Sequence, residues 1–373
     1  MPMWVIVNNF ASIGKQGDCM EFGIFSNGFR PHTSAGRTYD EDIAEIVLAD
    51  QLGFRDCYIS EHHGEPPYID RVDTIPVPEL LMCKAAALTK NIRLGAAVKL
   101  IHLHHPVDVA VQAAVTDHLI GNNRFIFGFG SGFNAPLFSE ERGLTYDDRH
   151  ARLQESLEVV LKCWAAKEPF DWNGKYWKAK GIVALPKPVA GASIPMATAT
   201  DSEYMLTAAA ERGYTLISAF LEPAPKLKAK AAKYVEIARA AGHLNPRKNI
   251  TASRIVYIAK TKQQAMDDLR AAVTYEVGVQ AERGFLKMLK SHFNVDVPND
   301  SNAIDALVEA GLYVLGDADQ VAEKIKGFYE AAGGFGTFLI VTGKDWADRE
   351  RRARSMTAFM EQVAPQLRPL EPS

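Results

Sequence analysis

Short runs of strand-forming residues alternate with amphipathic stretches from Met20 almost to the end of the chain. The runs are EFGIFS (21–26), RDCYIS (55–60), IRLGAAVKLI (92–101), RFIFGFG (124–130), IPMATAT (194–200), YTLISAF (214–220), ITASRIVYIA (250–259) and GTFLIVTG (336–343). Several are continuously apolar rather than alternating, as parallel strands covered on both faces are. Between them apolar positions recur with the helical period. Ile43, Ile46 and Val47 share a face of the first such stretch, and Leu153, Leu157, Val160, Leu161 and Trp164 share a face of the fourth. Val321, Ile325, Phe328 and Tyr329 line the last but one, which opens on a capping-box signature, Asp317 with Gln320. Strands alternating with helices predict a parallel α/β protein, and eight strands is the count that closes a (β/α)8 TIM barrel. A doubly wound open sheet is the competing architecture.

Two segments interrupt this repeat. Residues 168–193 are rich in Trp, Gly and Pro and contain Asn173-Gly174, a hairpin-turn pair. Residues 275–311, before the eighth strand, are too long for a bare connection; they read either as a lid or as a helical excursion that only packs. Residues 1–19 precede the first strand and read as an N-terminal extension, leaving 20–373 as one barrel domain.

Composition narrows the class. The chain has 373 residues, 47% hydrophobic and 23% charged, with net charge −3 and both signs mixed, so no basic field exists to attract nucleic acid or an anionic membrane. No apolar run approaches the roughly 18–20 residues that span a bilayer. The first residues, MPMWVIVNNFASIGKQGDC, lack the basic and apolar regions of a signal peptide. Cys19, Cys57, Cys83 and Cys163 are widely spaced, which suits a reducing, cytoplasmic setting better than a disulfide framework or a zinc site.

Four places carry candidate chemistry. Ser60-Glu61-His62-His63 follows the second strand, where a barrel places catalytic groups. Imidazole can exchange a proton near neutral pH or hydrogen-bond an oxyanion, although two histidines there could also cap or pack. His102, His104 and His105-Pro106 end the third strand. The alternation of His102 and His104 invites a metal-hydrolase reading, but a catalytic zinc needs three protein ligands, and strands five, six and eight offer none. No metal is expected, and His105-Pro106 reads as the turn into the next helix. Gly128-Phe129-Gly130-Ser131-Gly132 ends the fourth strand, where glycines would admit a flat ring or a phosphate. Its spacing is not that of the dinucleotide fingerprint. Thr200-Asp201-Ser202-Glu203 precedes a helix whose first N–H groups could cradle a phosphate, although any of the first three could simply be the N-cap. Asp201 and Glu203 would repel a dianion unless turned away.

Together these segments resemble the bacterial luciferase-like monooxygenases. The resemblance rests on Met20 to Phe25 as first strand, Glu61-His62-His63 after the second, His105-Pro106, Arg124 to Gly128, Asp201-Ser202, and Gly316 to Asp319 at a late helix start. Asp148-Arg149 through Glu155-Ser156, and Glu168-Pro169-Phe170, look most like the limonene and diketocamphane monooxygenases. The resemblance implies reduced FMN, supplied by a separate NAD(P)H:flavin reductase, reacting with O2 to give a flavin C4a-(hydro)peroxide that oxygenates a small apolar substrate such as a cyclic ketone, terpene or aldehyde. It implies His62 as the catalytic histidine, with Glu61 and His63 beside it, and Gly130, Ser131, Thr200, Asp201 and Ser202 as FMN-binding. It also implies a homodimer, through helices flanking the first strands. Luciferase itself has arginine where this chain has Ser131 and cysteine where it has Gly130, which argues against light emission and asks Arg149 or Arg152 to neutralise the phosphate. Phe25, Phe129, Phe133 and Phe220 are candidates for an apolar mouth. A deazaflavin (F420)-dependent oxidoreductase, a metal-dependent hydrolase and a non-catalytic flavin-binding paralogue are the alternatives.

Overall fold

The computed structural model describes residues 19–30, 33–63, 75–132, 139–189, 191, 194–219, 221–282 and 284–372. The N-terminal extension, apart from Cys19, therefore lies outside the described residues, as do Phe133 and Phe220. In chain order the strands are β1 (Glu21–Phe29), β2 (Asp56–Ile59), β3 (Arg93–Ala96), β4 (Phe125–Phe129), β5 (Phe170–Asn173), β6 (Lys178–Ile182), β7 (Met196–Thr198), β8 (Thr215–Ile217), β9 (Ile250–Ile258), β10 (Tyr313–Gly316) and β11 (Thr337–Lys344). The main helices are α1 (Ala35–Leu52), α2 (Pro78–Ala86), α3 (Pro106–Ile120), α4 (Arg149–Ala165), α5 (Glu203–Arg212), α6 (Ala224–Ala240), α7 (Lys262–Glu282), α8 (Phe285–Phe293), α9 (Ala303–Glu309), α10 (Ala318–Ala331) and α11 (Arg349–Ala358).

The strands β1-β2-β3-β4-β7-β8-β9-β11 pair in parallel and close, since β11 returns to β1 and β8 meets β9. This is the expected TIM barrel, and the open-sheet alternative is excluded. Register sets which side chains point inward, because laterally paired residues share a face. Gly23 pairs with Asp56 and Leu339, Tyr58 with Phe25 and Gly95, and Gly95 with Ile126. Tyr58, Ile126, Ala197, Ile217 and Leu339 form the inner core. The glycines make room for it: a Cβ on Gly23 would stand 2.6 Å from the Leu339 side chain, and one on Gly95 would stand 3.3 Å from Tyr58.

Each strand's other face packs the helices. Phe22 meets Phe359 edge to face at 5.5 Å, and Phe127 meets Trp164 at 5.2 Å. Phe129 belongs to this outer layer, fully buried beside Phe127 and Tyr214. Its placement at the mouth is corrected: the twofold strand period puts Gly128, paired with Ala197, on the inner face and turns Phe129 out. The capping box of α10 is present in full: Gln320 donates to the Asp317 carboxylate and returns its side chain to the Asp317 N–H. Val321 and Ile325 on its inner face are buried, each contributing about 1.5–3 kcal/mol.

Two features depart from the expected strands, and the expected hairpin lies apart from them. The third is shorter than residues 92–101: beyond Ala96 the Leu100 N–H turns to a carboxylate, and Ile101–Leu103 forms a 3-10 turn. The Asn173-Gly174 hairpin is β5–β6, paired antiparallel outside the barrel. β10 has no counterpart in the sequence reading. Tyr313–Gly316 pairs with Ile255–Ile258, the outer half of β9, whose inner half pairs with β11. With α7, α8 and α9 it builds a second core containing Leu269, Val273, Leu289, Ile304 and Leu315. Glu276 on α7 fastens that core to the end of β11, accepting the Trp346 indole N–H at 2.9 Å and pairing with the buried Lys344. Val277, Leu289, Val297 and Ile304 of the segment 275–311 thus pack into this second core.

Candidate active site

Parallel strands bring every strand end to one rim. Glu61 follows β2 and is buried. One of its oxygens, Oε1, lies 2.8 Å from His63 Nε2 and 3.4 Å from His104 Nε2. The other, Oε2, accepts the Leu100 N–H at 3.1 Å, and the buried Lys99 ammonium stands 3.6 Å away. Lys99 also pairs with Glu79 on α2 at 3.2 Å. Burial alone would raise the Glu61 pKa, but hydrogen bonds from His104 and His63 and the charge of Lys99 outweigh it, holding the carboxyl well below the usual range. It is a fixed anion that orients its neighbours. His62, next in sequence, is exposed, and its backbone N–H bonds to Ile75 at 3.2 Å.

The other histidines divide. His105 precedes α3 with Pro106 at its first turn, as expected, and packs edge-on against Trp177 at 5.2 Å. His102 is fully buried, and among the described residues neither ring nitrogen has a hydrogen-bond partner. Burial, with the nearby Arg152 charge, brings its pKa down to about 4, so the ring is neutral at pH 7. Among the described residues no three His, Cys, Asp or Glu side chains gather closely enough to hold a metal ion.

At the ends of β4 and β7 the side chains become small. A Cβ on Gly128 would fall 1.7 Å from the Ala96 carbonyl oxygen, and one on Gly130 would fall 2.6 Å from Val98. The neighbouring strand, rather than a ligand, requires these glycines. Ala97, Ala199 and Leu144 pack against the inner core, which at this end includes Val98 and Leu100. Ser131 is half-buried at the same rim.

Ser202 is the N-cap of α5, yet its hydroxyl makes no cap bond; Thr200 Oγ1 instead accepts the Ser202 N–H at 3.0 Å. Asp201 turns away from the helix end to Lys226 at 2.9 Å and Lys230 at 2.8 Å on α6. Glu203 pairs with Lys233. Both acids that would oppose an anion are thereby engaged, and the first N–H groups of α5 carry no side-chain cap. Arg152 is buried at the start of α4, donates to the Thr145 carbonyl at 3.4 Å and lies over the Tyr176 ring. Arg149 lies over Tyr146, and neither arginine has a carboxylate partner among the described residues.

The sequence profile of the luciferase-like monooxygenases matches residues 20–335. The chain belongs to the luciferase-like monooxygenase family. Within this family it is 27% identical to limonene 1,2-monooxygenase of Rhodococcus erythropolis, over 93% of this chain and 86% of that one. It is 28% identical to 3,6-diketocamphane 1,6-monooxygenase of Pseudomonas putida, over 93% and 98% of the two chains. The oxygenating constituent of the Pseudomonas putida 3,6-diketocamphane monooxygenase, a type II Baeyer-Villiger enzyme solved with FMN, superposes with a TM-score of 0.79 at 27% identity, covering 94% of this chain and 99% of that one. The luciferase-like barrel and the limonene and diketocamphane subgroup are those the sequence resembles. Lys99, Glu79, Lys226 and Lys230 escaped the sequence reading. Lys99 carried a signal, as the one charge inside the apolar run AAVKLI.

Proposed function

We propose that this chain is the oxygenase of a two-component flavin system, taking reduced FMN from a separate NAD(P)H:flavin reductase and using O2 to oxygenate a small apolar substrate. One observation carries the reading. Glu61-His62-His63 and the uncapped start of α5 stand on the same barrel rim, at the ends of β2 and β7. Reduced FMN, when bound, supplies the oxygen activation. The protein's part is to bind, orient and exclude water. Ser202, Thr200 and the first N–H groups of α5 would hold the phosphate, with Arg149 or Arg152 as countercharge. Gly130 and Ser131 would border the ring. His62, exposed at the rim beside the fixed Glu61 anion, would hold or donate the proton that sets the outcome. Retained, that proton favours electrophilic oxygen transfer; lost, it favours attack on a ketone or aldehyde.

The diketocamphane homologue is named as an oxygenating constituent, which supports a separate reductase as partner. Leu80 on α2, Leu88 just beyond its end and Leu119 on α3 are 71%, 58% and 65% exposed, apolar side chains that a homodimer contact could cover. The four cysteines are free, which fits a cytoplasmic setting.

The test uses reduced FMN and a panel of cyclic ketones, terpenes and aldehydes. Wild type should couple O2 consumption to product. His62→Ala should release hydrogen peroxide in its place, with turnover to product falling about 100-fold. Unchanged coupling in the variant would remove His62 from the chemistry. Binding of reduced F420 in preference to reduced FMN would replace oxygenation with hydride transfer.

A further inference from the structure

His63 is held from both sides. Its Nε2 lies 2.8 Å from Glu61 Oε1, and the Arg142 guanidinium approaches its Nδ1 at 3.4 Å. Arg142 comes from the chain between β4 and α4 and also pairs with Glu141 at 3.3 Å. A guanidinium has five N–H donors, no acceptor, and keeps its charge at every working pH. Toward Arg142, Nδ1 can only accept. The one proton of a neutral ring then sits on Nε2, where the acceptor-only Glu61 carboxylate takes its hydrogen bond. The carboxylate cannot exchange roles, because the Leu100 N–H and His104 fill its remaining positions and Lys99 fixes its charge.

We propose that Arg142 is a positioning residue that locks His63 in the Nε2–H tautomer, so that His63 orients the rim while proton exchange falls to His62. The last clause rests on the function proposed above; the tautomer does not. A proton placed on Nδ1 would point at the guanidinium N–H and forfeit that bond. His63 thereby joins the segment after β4 to the end of β2 through a directed chain, Arg142 to His63 to Glu61.

The tautomer is directly readable. In protein labelled with 15N-histidine, two-bond proton–nitrogen correlation spectra separate bare from protonated ring nitrogens, and the His63 signals are those lost in His63→Gln. Wild type should show a bare Nδ1 and a protonated Nε2. Arg142→Met, which removes charge and donors, should give a mixed tautomer and a kcat about tenfold lower with KM unchanged. Arg142→Lys, which keeps a charged donor, should restore most of both. A protonated Nδ1 in wild type, or a pure Nε2–H spectrum in Arg142→Met, would overturn the assignment. If the spectra behave as stated but no oxygenation occurs with reduced FMN, the functional reading fails and the positioning role stands.

Discussion

The two halves of the rim are built on opposite principles. At the ends of β2 and β3 a carboxylate that water does not reach, Glu61, is surrounded by the Leu100 N–H, the buried Lys99 and the partly exposed His63 and His104. At the end of β7, Asp201 is largely exposed and meets Lys226 in solvent, while the largely buried Lys230 pairs with it and with the buried Glu222. A buried ion set is costly to leave incomplete, whereas an exposed pair is worth at most about 1 kcal/mol and yields to salt. The first half is thus preorganised for chemistry that needs fixed geometry. The second offers exchangeable charge around a helix end, as a site that must admit and release a charged ligand requires.

Removing the carboxylate's charge is the sharpest way to break this contrast. Glu61→Gln leaves Lys99 with only Glu79 and should cost about 3 kcal/mol in urea unfolding at pH 7. Because the folded carboxyl titrates below its ordinary value of 4.5, wild type should hold its full advantage above that pH and lose it as pH falls further. A wild-type advantage that is the same at pH 3 as at pH 7 would show that the folded carboxyl is not held below its ordinary range.

His102 belongs to the same half and also loses stability on acidification, but at higher pH and because its neutral form is the buried one. It folds with a pKa of about 4 against 6.5 when unfolded, so the unfolded chain binds its proton first. Stability should be full above 6.5 and decline by about 3 kcal/mol as pH falls to 4. His102→Leu should flatten that slope and, by removing two unpaired buried nitrogens, raise stability at neutral pH. Parallel acid curves for the two proteins would mean that the ring finds a partner in solution.

The β7 half should respond through binding rather than stability. Ser202→Ala removes a hydroxyl that caps nothing, so unfolding should be almost unchanged. FMN affinity, followed by flavin fluorescence, should drop about tenfold, and binding should weaken as salt rises. An unchanged affinity would move the phosphate away from this helix.

The strands and the barrel were legible because burial on both faces leaves a continuous apolar signature that length and spacing confirm. Glu61-His62-His63 was legible from its position after a strand. Lys99, Arg142 and the α6 lysines were not, since their partners come from other strand ends and helices and no local pattern encodes such meetings. Phe129 misled because an aromatic residue between two glycines looks ligand-facing, whereas the strand period alone decided its side. β10 was missed because Tyr313–Gly316 is too short to stand out beside the capping signal that follows it.

β9 has one further implication, for engineering. Its last four residues, Ile255–Ile258, are paired by β10 and lie beyond the register that β11 shares with the strand. Trimming the excursion to obtain a minimal barrel would strip that stretch and leave a bare apolar edge, a template for intermolecular pairing. A shortened version should keep Tyr313–Gly316 or end β9 early with a charged residue or proline, or it will precipitate before its chemistry can be assayed.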